Sequence, residues 1–216
     1  MEITHIGHSC FKLKGKNLTI LIDPYDPEVG YKFPKQKADV LLISHKDPGH
    51  SNIEGVSDYR LLVDSAGEYE IGGTFVNGIQ TYHDKSKGEA KGKNIIYQIE
   101  MDGFTILHLG DLGHELEKET LQKISDIDVL MIPVGGKGSL DHEMASKVIS
   151  SLEPAIVIPM HYATKDLVES KGLAPVKNFL EEMGVEDSFK KAEKLRITVK
   201  SEIPSDTTVY VLDMDH

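Results

Sequence analysis

The chain predicts an α/β fold: two β-sheets face to face with helices outside, built from a duplicated β-rich unit. Short apolar runs of four to eight residues, bounded by Gly, Pro, Asp or Asn, recur along all 216 residues and read as strands. Two of them are echoed further on. Leu18-Thr19-Ile20-Leu21 followed by Asp23 resembles Phe104-Thr105-Ile106-Leu107 followed by Asp111, and Asp39-Val40-Leu41-Leu42-Ile43 resembles Asp128-Val129-Leu130-Met131-Ile132. The order is kept and the offset stays between 86 and 89 residues, which marks an internal repeat. Two such halves bury their apolar faces best as sheet against sheet. No Pro/Ser/Gly-rich linker separates them, so residues 1–216 read as one domain.

Taken in order, residues 3–6, 10–13 and 18–22 are strands, with Gly15-Lys16-Asn17 turning between the last two. Residues 25–38, rich in Pro, Asp, Lys and Tyr, read as an excursion over the surface. A strand over 40–43 follows, then a polar loop, a short helix near Ile53 and a strand over 60–63. Residues 67–73 read as a turn region because of their three glycines, followed by short strands over 74–76 and 79–82. The Lys- and Gly-rich stretch 84–93 is a solvated loop on composition. Residues 94–101 and 104–109 form a hairpin across Asp102-Gly103, the strongest short hairpin signal in the chain. Residues 117–124 read as a helix with acidic residues in its first turn, and 129–132 as a buried strand. The stretch 141–152 has helical spacing, with Met144, Val148, Ile149 and Leu152 on one face. A strand over 155–159, an amphipathic helix over 174–183 and strands over 195–199 and 207–212 complete the chain.

The formal net charge of −11 is spread along the sequence, which argues against a nucleic-acid or anionic-membrane partner. It leaves room for a small-molecule substrate, anionic ones included, because a bound metal supplies positive charge locally. The single cysteine, Cys10, excludes an intrachain disulfide and fits a reducing compartment. It reads as a small buried hydrophobe rather than a nucleophile. The N-terminus has neither a basic nor an apolar leader region, and no run approaches the length of a membrane span, so a cytoplasmic protein is expected. A homo-oligomer is left open.

Candidate chemistry gathers where strands stop. The loop His45-Lys46-Asp47-Pro48-Gly49-His50 sets two imidazoles and a carboxylate after the strand ending at Ile43. His83 follows the strand over 79–82, Asp111 the one over 104–109, and His161 the one over 155–159. Strand ends are rigid platforms, and four histidines with two carboxylates at one sheet edge suit a divalent metal such as zinc, iron or manganese.

In order, the pieces Gly7-His8-Ser9-Cys10-Phe11, Leu21-Ile22-Asp23-Pro24, Ser44-His45, Gly110-Asp111 and Pro159-Met160-His161-Tyr162 resemble the metallo-β-lactamase-fold hydrolases. The likeness is to the branch related to L-ascorbate-6-phosphate lactonase. It implies a four-layer αββα sandwich with a hydrolytic site for one or two metal ions, zinc first and iron or manganese as alternatives. The signature His-x-His-x-Asp-His is altered here, with Asp47 at the second histidine and Gly49 at the aspartate. Carried over by position, one metal would be held by His45, Asp47 and His83, and a second by His50 and His161, with Asp111 bridging. Asp47 keeps a donor oxygen and is also expected to orient the attacking water or take its proton; Gly49 offers no ligand.

The resemblance places His8 near the metal edge, in contact with substrate or in a structural hydrogen bond. His142, at a helix start, is a weaker candidate; His108 and His114 read as packing or surface, and His5 and His216 carry no signal. Asp23 is best explained by turn and hydrogen-bond geometry. Gly135-Gly136-Lys137-Gly138 lacks the ending of a nucleotide-binding loop and reads as a surface rim, with Lys137 able to meet an anion. The expected function is hydrolysis of a lactone or phosphoester by a metal-activated water. The alternative is a degraded member of the fold acting as a binding or regulatory module.

Overall fold

The structure is a computed structural model describing residues 1–165 and 172–215; His216 falls outside them. The first half runs through β1 (Glu2–Gly7), β2 (Cys10–Lys14), β3 (Thr19–Ile22), β4 (Gln36–Lys37), β5 (Val40–Leu42), β6 (Val56–Ser57) and β7 (Leu61–Val63). The second runs through β8 (Gly67–Ile71), β9 (Thr74–Tyr82), β10 (Lys93–Met101), β11 (Phe104–His108), α1 (Lys118–Leu121), β12 (Val129–Pro133), α2 (His142–Leu152) and β13 (Ile156–Met160). Helix α3 (Val176–Glu182), β14 (Lys190–Ala192), β15 (Lys194–Arg196) and β16 (Thr208–Leu212) close it.

Among the described residues, one sheet has the order β15-β1-β2-β3-β5-β7 and the other β14-β16-β13-β12-β11-β10-β9-β8. The repeat is visible in both. An antiparallel hairpin, β2–β3 or β10–β11, is followed by parallel neighbours, β5 and β7 or β12 and β13. The echo extends to single hydrogen bonds. Asp39 accepts from Thr19 N–H at 2.8 Å, and its counterpart Asp128 accepts from Thr105 N–H at 2.7 Å. Each aspartate thus ties the start of one parallel strand to its neighbour.

Alternation along the strands sends one set of side chains between the sheets and the other outward. The inner core joins Phe11, Leu13, Ile20, Ile22, Val40 and Leu42 to Tyr97, Ile99, Ile106, Val129, Met131 and Ile158. The outer face of the second sheet is covered by α2 and α3 through Ala145, Val148, Ile149, Phe179 and Leu180. The first sheet is covered differently: Tyr25, Val29, Tyr31, Ala38 and Val56 pack over Leu21, Leu41 and Ile43. The excursion over 25–38 and the small β4–β6 pair form that layer.

Several local readings change. Residues 67–71 form strand β8 rather than a turn, paired antiparallel with β9. Gly72 and Gly73, at φ 59° and 76°, supply the two left-handed residues of a tight hairpin. Residues 74–82 are one continuous strand, because Gly78 lets the backbone pass close to Tyr97. The helix expected over 117–124 shrinks to the single turn α1, and the one near Ile53 to a 3₁₀ turn, Ile53–Gly55. The solvated loop after His83 is tied by Asp84, whose carboxylate accepts from the N–H groups of Ser86, Gly88, Ala90 and Lys91. Among the described residues no helix is long and apolar enough to cross a membrane.

Candidate metal centre

One edge of the sandwich collects the ends of β1, β3, β5, β9, β11 and β13. The chain leaves several of these strands through left-handed backbone: His8 (φ 54°), Asp23 (φ 48°), Gly110 (φ 54°) and His161 (φ 51°). Non-glycine residues in this region are strained and persist where surrounding contacts over-determine them. At Gly110 a side chain is impossible, because a Cβ would stand 2.4 Å from Asn94 Oδ1 and 2.7 Å from Ser44 Cβ. The turn so made presents Asp111, whose N–H donates to Asn94 Oδ1 at 3.0 Å. Buried Asn94 in turn donates to Thr81 Oγ1 and to the Leu109 carbonyl.

Two groups of donors meet here, His45 with His83 and Asp111, and His8 with His50 and His161. All but His45 are buried. Asp111 Oδ2 lies 3.3 Å from His50 Nε2, 3.2 Å from His83 Nε2 and 3.3 Å from His161 Nε2. Donors on a tetrahedral zinc, with bonds of ~2.0–2.1 Å, stand about 3.3 Å apart. Buried polar atoms on these side chains also lack hydrogen-bond partners: both nitrogens of His8, Nε2 of His45 and of His50, Nδ1 of His83 and Oδ1 of Asp111. Unpartnered buried polar atoms are rare in native proteins unless an ion or water takes them. The residues present therefore fit a divalent metal.

Behind the donors lies a layer that sets their orientation. Asp23, fully buried, accepts from Ser44 N–H at 2.7 Å and Ser44 Oγ at 2.6 Å, and His50 Nδ1 lies 2.9 Å from its Oδ2. Ser44 Oγ, its proton given to Asp23, is left to accept from His45 Nδ1 at 3.0 Å. Ser139 Oγ donates to the Gly136 carbonyl and so accepts from His161 Nδ1 at 3.3 Å. In all three imidazoles the Nδ1 proton points outward, which leaves Nε2 facing the centre. Outer partners of this kind fix the tautomer of a metal-binding histidine.

Charge agrees with the geometry. Burial alone would raise the Asp111 carboxyl, but His161 and His50 hold it well below the usual carboxylate range. Burial would lower His50, yet Asp111 and Asp23 raise it well above an ordinary imidazole. Burial, with His161 and His50 beside it, pushes His8 well down. His45 falls to about 4 from burial and the nearby His50. His8 and His45 are thus neutral bases with lone pairs, the form a metal takes.

Asp47 stands apart from these donors. It belongs to neither donor group; its exposed carboxylate accepts from Gly49 N–H at 2.8 Å, and its carbonyl accepts from His50 and Ser51 N–H. This local Asx-type turn satisfies the side chain two residues away. Conversely His8, expected beside the site, has its ring inside it. Asp23, expected to serve turn and hydrogen-bond geometry, does so at the site, bonding Ser44 and lying 2.9 Å from His50 Nδ1. His142 opens α2 outside both groups, and His114 bonds the Glu115 carbonyl at the surface. His108, buried, has Nε2 3.0 Å from the Ser9 carbonyl and accepts from Gly110 N–H, a structural role under the site.

Residues 2–161 match the Beta-lactamase superfamily domain. A UPF0173 metal-dependent hydrolase of Pelotomaculum thermopropionicum is 30% identical over 200 residues, covering 78% of this chain and 87% of that protein. A UPF0173 metal-dependent hydrolase of Thermoplasma acidophilum is 28% identical over 79% of this chain and 87% of its own length. A crystal structure from Thermotoga maritima, provisionally assigned as a Zn-dependent hydrolase of the metallo-β-lactamase superfamily, superposes with a TM-score of 0.80. It is 34% identical, with 99% of this chain and 98% of that one covered. On these matches and the two-sheet α/β sandwich described above, the chain belongs to the metallo-β-lactamase superfamily and, within it, to the UPF0173 metal-dependent hydrolases.

Proposed function

We propose that this protein hydrolyses a small lactone or phosphoester with divalent metal, zinc first, held at the strand-end edge by His45, His83, Asp111, His50 and His161. The observation that carries this reading is the buried convergence of imidazoles around Asp111 Oδ2. The Zn-dependent assignment of the Thermotoga maritima relative supports the choice of metal. A divalent cation held there would lower the pKa of water toward ~7 and would polarise a carbonyl or phosphoryl group. The chain's own part is to orient. Asp23, Ser44 and Ser139 hold the rings of His50, His45 and His161, while Asn94 holds the turn that aims Asp111.

The lactone arm follows the likeness of residues 7–11, 21–24 and 159–162 to the lactonase branch. An anionic substrate is supported by charge. Asp111 is the single carboxylate among the six grouped donors, so divalent cations leave this edge positive within an acidic protein. Lys91 adds a cation at the rim, its Nζ donating to the Lys137 carbonyl at 2.7 Å. The proposed setting is the cytoplasm, consistent with one buried, unpaired cysteine, with residues 1–216 acting as one domain.

The test is elemental analysis of protein purified without chelator, followed by a lactone and phosphoester screen with wild type, Asp111→Ala and His161→Ala. Bound metal and turnover in the wild type, both lost in the variants, support the proposal. Full activity in either variant refutes the site. The displacement of Asp47 and the bare Gly49 favour a second reading, a binding module without catalysis. Wild-type protein holding less than about a tenth of an equivalent, with no uptake on dialysis against zinc, would establish that reading instead.

A further inference from the structure

The geometry points to His8 as a metal ligand, completing a second cation site with His50, His161 and Asp111 in the space that Gly49 leaves clear. This inference rests on the metal-dependent reading above and adds a residue that the altered loop motif cannot supply.

Four observations carry it. The His8 ring is 3% exposed, and neither of its nitrogens has a hydrogen-bond partner. A buried imidazole with two idle nitrogens is unfavourable unless something binds one of them. A donor atom of that ring lies within 4.8 Å of those of His50 and His161, and its plane meets theirs edge-on at centroid separations of 5.1 and 4.5 Å. Its backbone is held from three sides: the His8 carbonyl accepts from His161 N–H at 3.2 Å and lies 3.0 Å from His5 Nε2, while the Ser9 carbonyl lies 3.0 Å from His108 Nε2. These contacts sustain the left-handed φ of 54° at His8.

Gly49 supplies the fourth. Its φ is not left-handed, so its conformation does not call for glycine. Space does: a Cβ at position 49 would stand 3.0 Å from His8 Cε1, 3.2 Å from Asp47 Oδ1 and 3.5 Å from His8 Nδ1. Any side chain there begins against the ring. Glycine at 49 and histidine at 8 are thus two halves of one exchange, in which an imidazole reached from the β1–β2 turn stands where the loop offers no donor. Three imidazoles and one carboxylate form a nitrogen-rich set, which favours zinc over manganese.

The experiment uses the full chain, stripped with chelator and titrated with zinc, counted by elemental analysis after desalting, and with cobalt(II), followed by visible absorption. Wild type is expected to take two equivalents and His8→Ala one, the remaining cation staying with His45, His83 and Asp111. Gly49→Ala, which keeps His8 but crowds its ring, should weaken the second equivalent at least about tenfold. The double variant His8→Ala, Gly49→Asp should recover it, because a carboxylate then enters cleared space. Circular dichroism melts of the metal-free variants separate loss of a ligand from loss of fold. Two equivalents in His8→Ala, with the wild-type cobalt spectrum, would overturn the assignment while leaving the hydrolase reading intact. One equivalent in wild type, unchanged by His8→Ala, would overturn it too. No metal in wild type would remove the reading beneath both.

Discussion

Replacing Asp23 by asparagine tests whether the layer behind the donors governs the site. Asp23 is fully buried, so solvent cannot make up for a lost partner. Its Oδ1 accepts from Ser44 N–H at 2.7 Å; its Oδ2 takes Ser44 Oγ at 2.6 Å and faces His50 Nδ1 at 2.9 Å. Asparagine tolerates the φ of 48°, so the turn survives. With its oxygen kept on Ser44 N–H, the new NH2 group faces His50 Nδ1 and requires that nitrogen to accept. The neutral imidazole must then keep its proton on Nε2, where it competes with a cation beside Asp111. Loss of such an outer partner lowers metal affinity about 10–100-fold, or ~1.4–2.7 kcal/mol. Competition between the protein and a chromophoric chelator for zinc measures this directly, with urea unfolding of the metal-free form as the control. Wild-type affinity in a correctly folded Asp23→Asn protein would refute the idea that Asp23 sets the His50 tautomer.

Asp47→Ala should leave zinc stoichiometry unchanged, because the carboxylate serves the turn through Gly49 N–H; loss of an equivalent on elemental analysis would return Asp47 to the site. Asn94→Ala should destabilise the protein by about 2–4 kcal/mol in urea titrations, since Asp111 N–H, Thr81 Oγ1 and the Leu109 carbonyl all lose a buried partner. A midpoint within error of wild type would count against that network. Zinc binding should release a proton, because burial lowers His50 but Asp111 and Asp23 raise it further, and a cation displaces the proton they hold. Affinity therefore falls as the pH drops below that raised pKa, by about tenfold per unit for one proton. Conversely, the stability His50 lends the metal-free protein is complete below its unfolded pKa and is lost as the pH rises through the folded one. Calorimetry in buffers of different ionisation enthalpy counts the proton, and zero protons released at neutral pH would contradict the assignment.

The repeat was legible because it is written in local pattern. Apolar runs of fixed length, each opened by Asp39 or Asp128, read as buried strands, and in the structure both aspartates bond the neighbouring strand alike. Elements ruled by partners were harder to read. Gly67–Ile71 has the composition of a turn and becomes a strand because β9 lies beside it. The run over 117–124 has helical composition, but little apolar surface meets it and only one turn forms.

The same division runs through the site. Sequence by itself determined that His45, His50, His83, Asp111 and His161 stand after strands, since period-two apolar runs ending in Gly, Pro or Asp mark those ends. It could not determine direction. Asp47 lies in the loop where a ligand was expected, and a hydrogen bond two residues long engages its Oδ1 with Gly49 N–H. His8 and Asp23, far from that loop in sequence, reach it only because β1, β3 and β5 share one sheet and end at one edge. A strand's pattern depends on its own residues, whereas the meeting of side chains depends on how several strand ends are stacked, and only tertiary packing sets that.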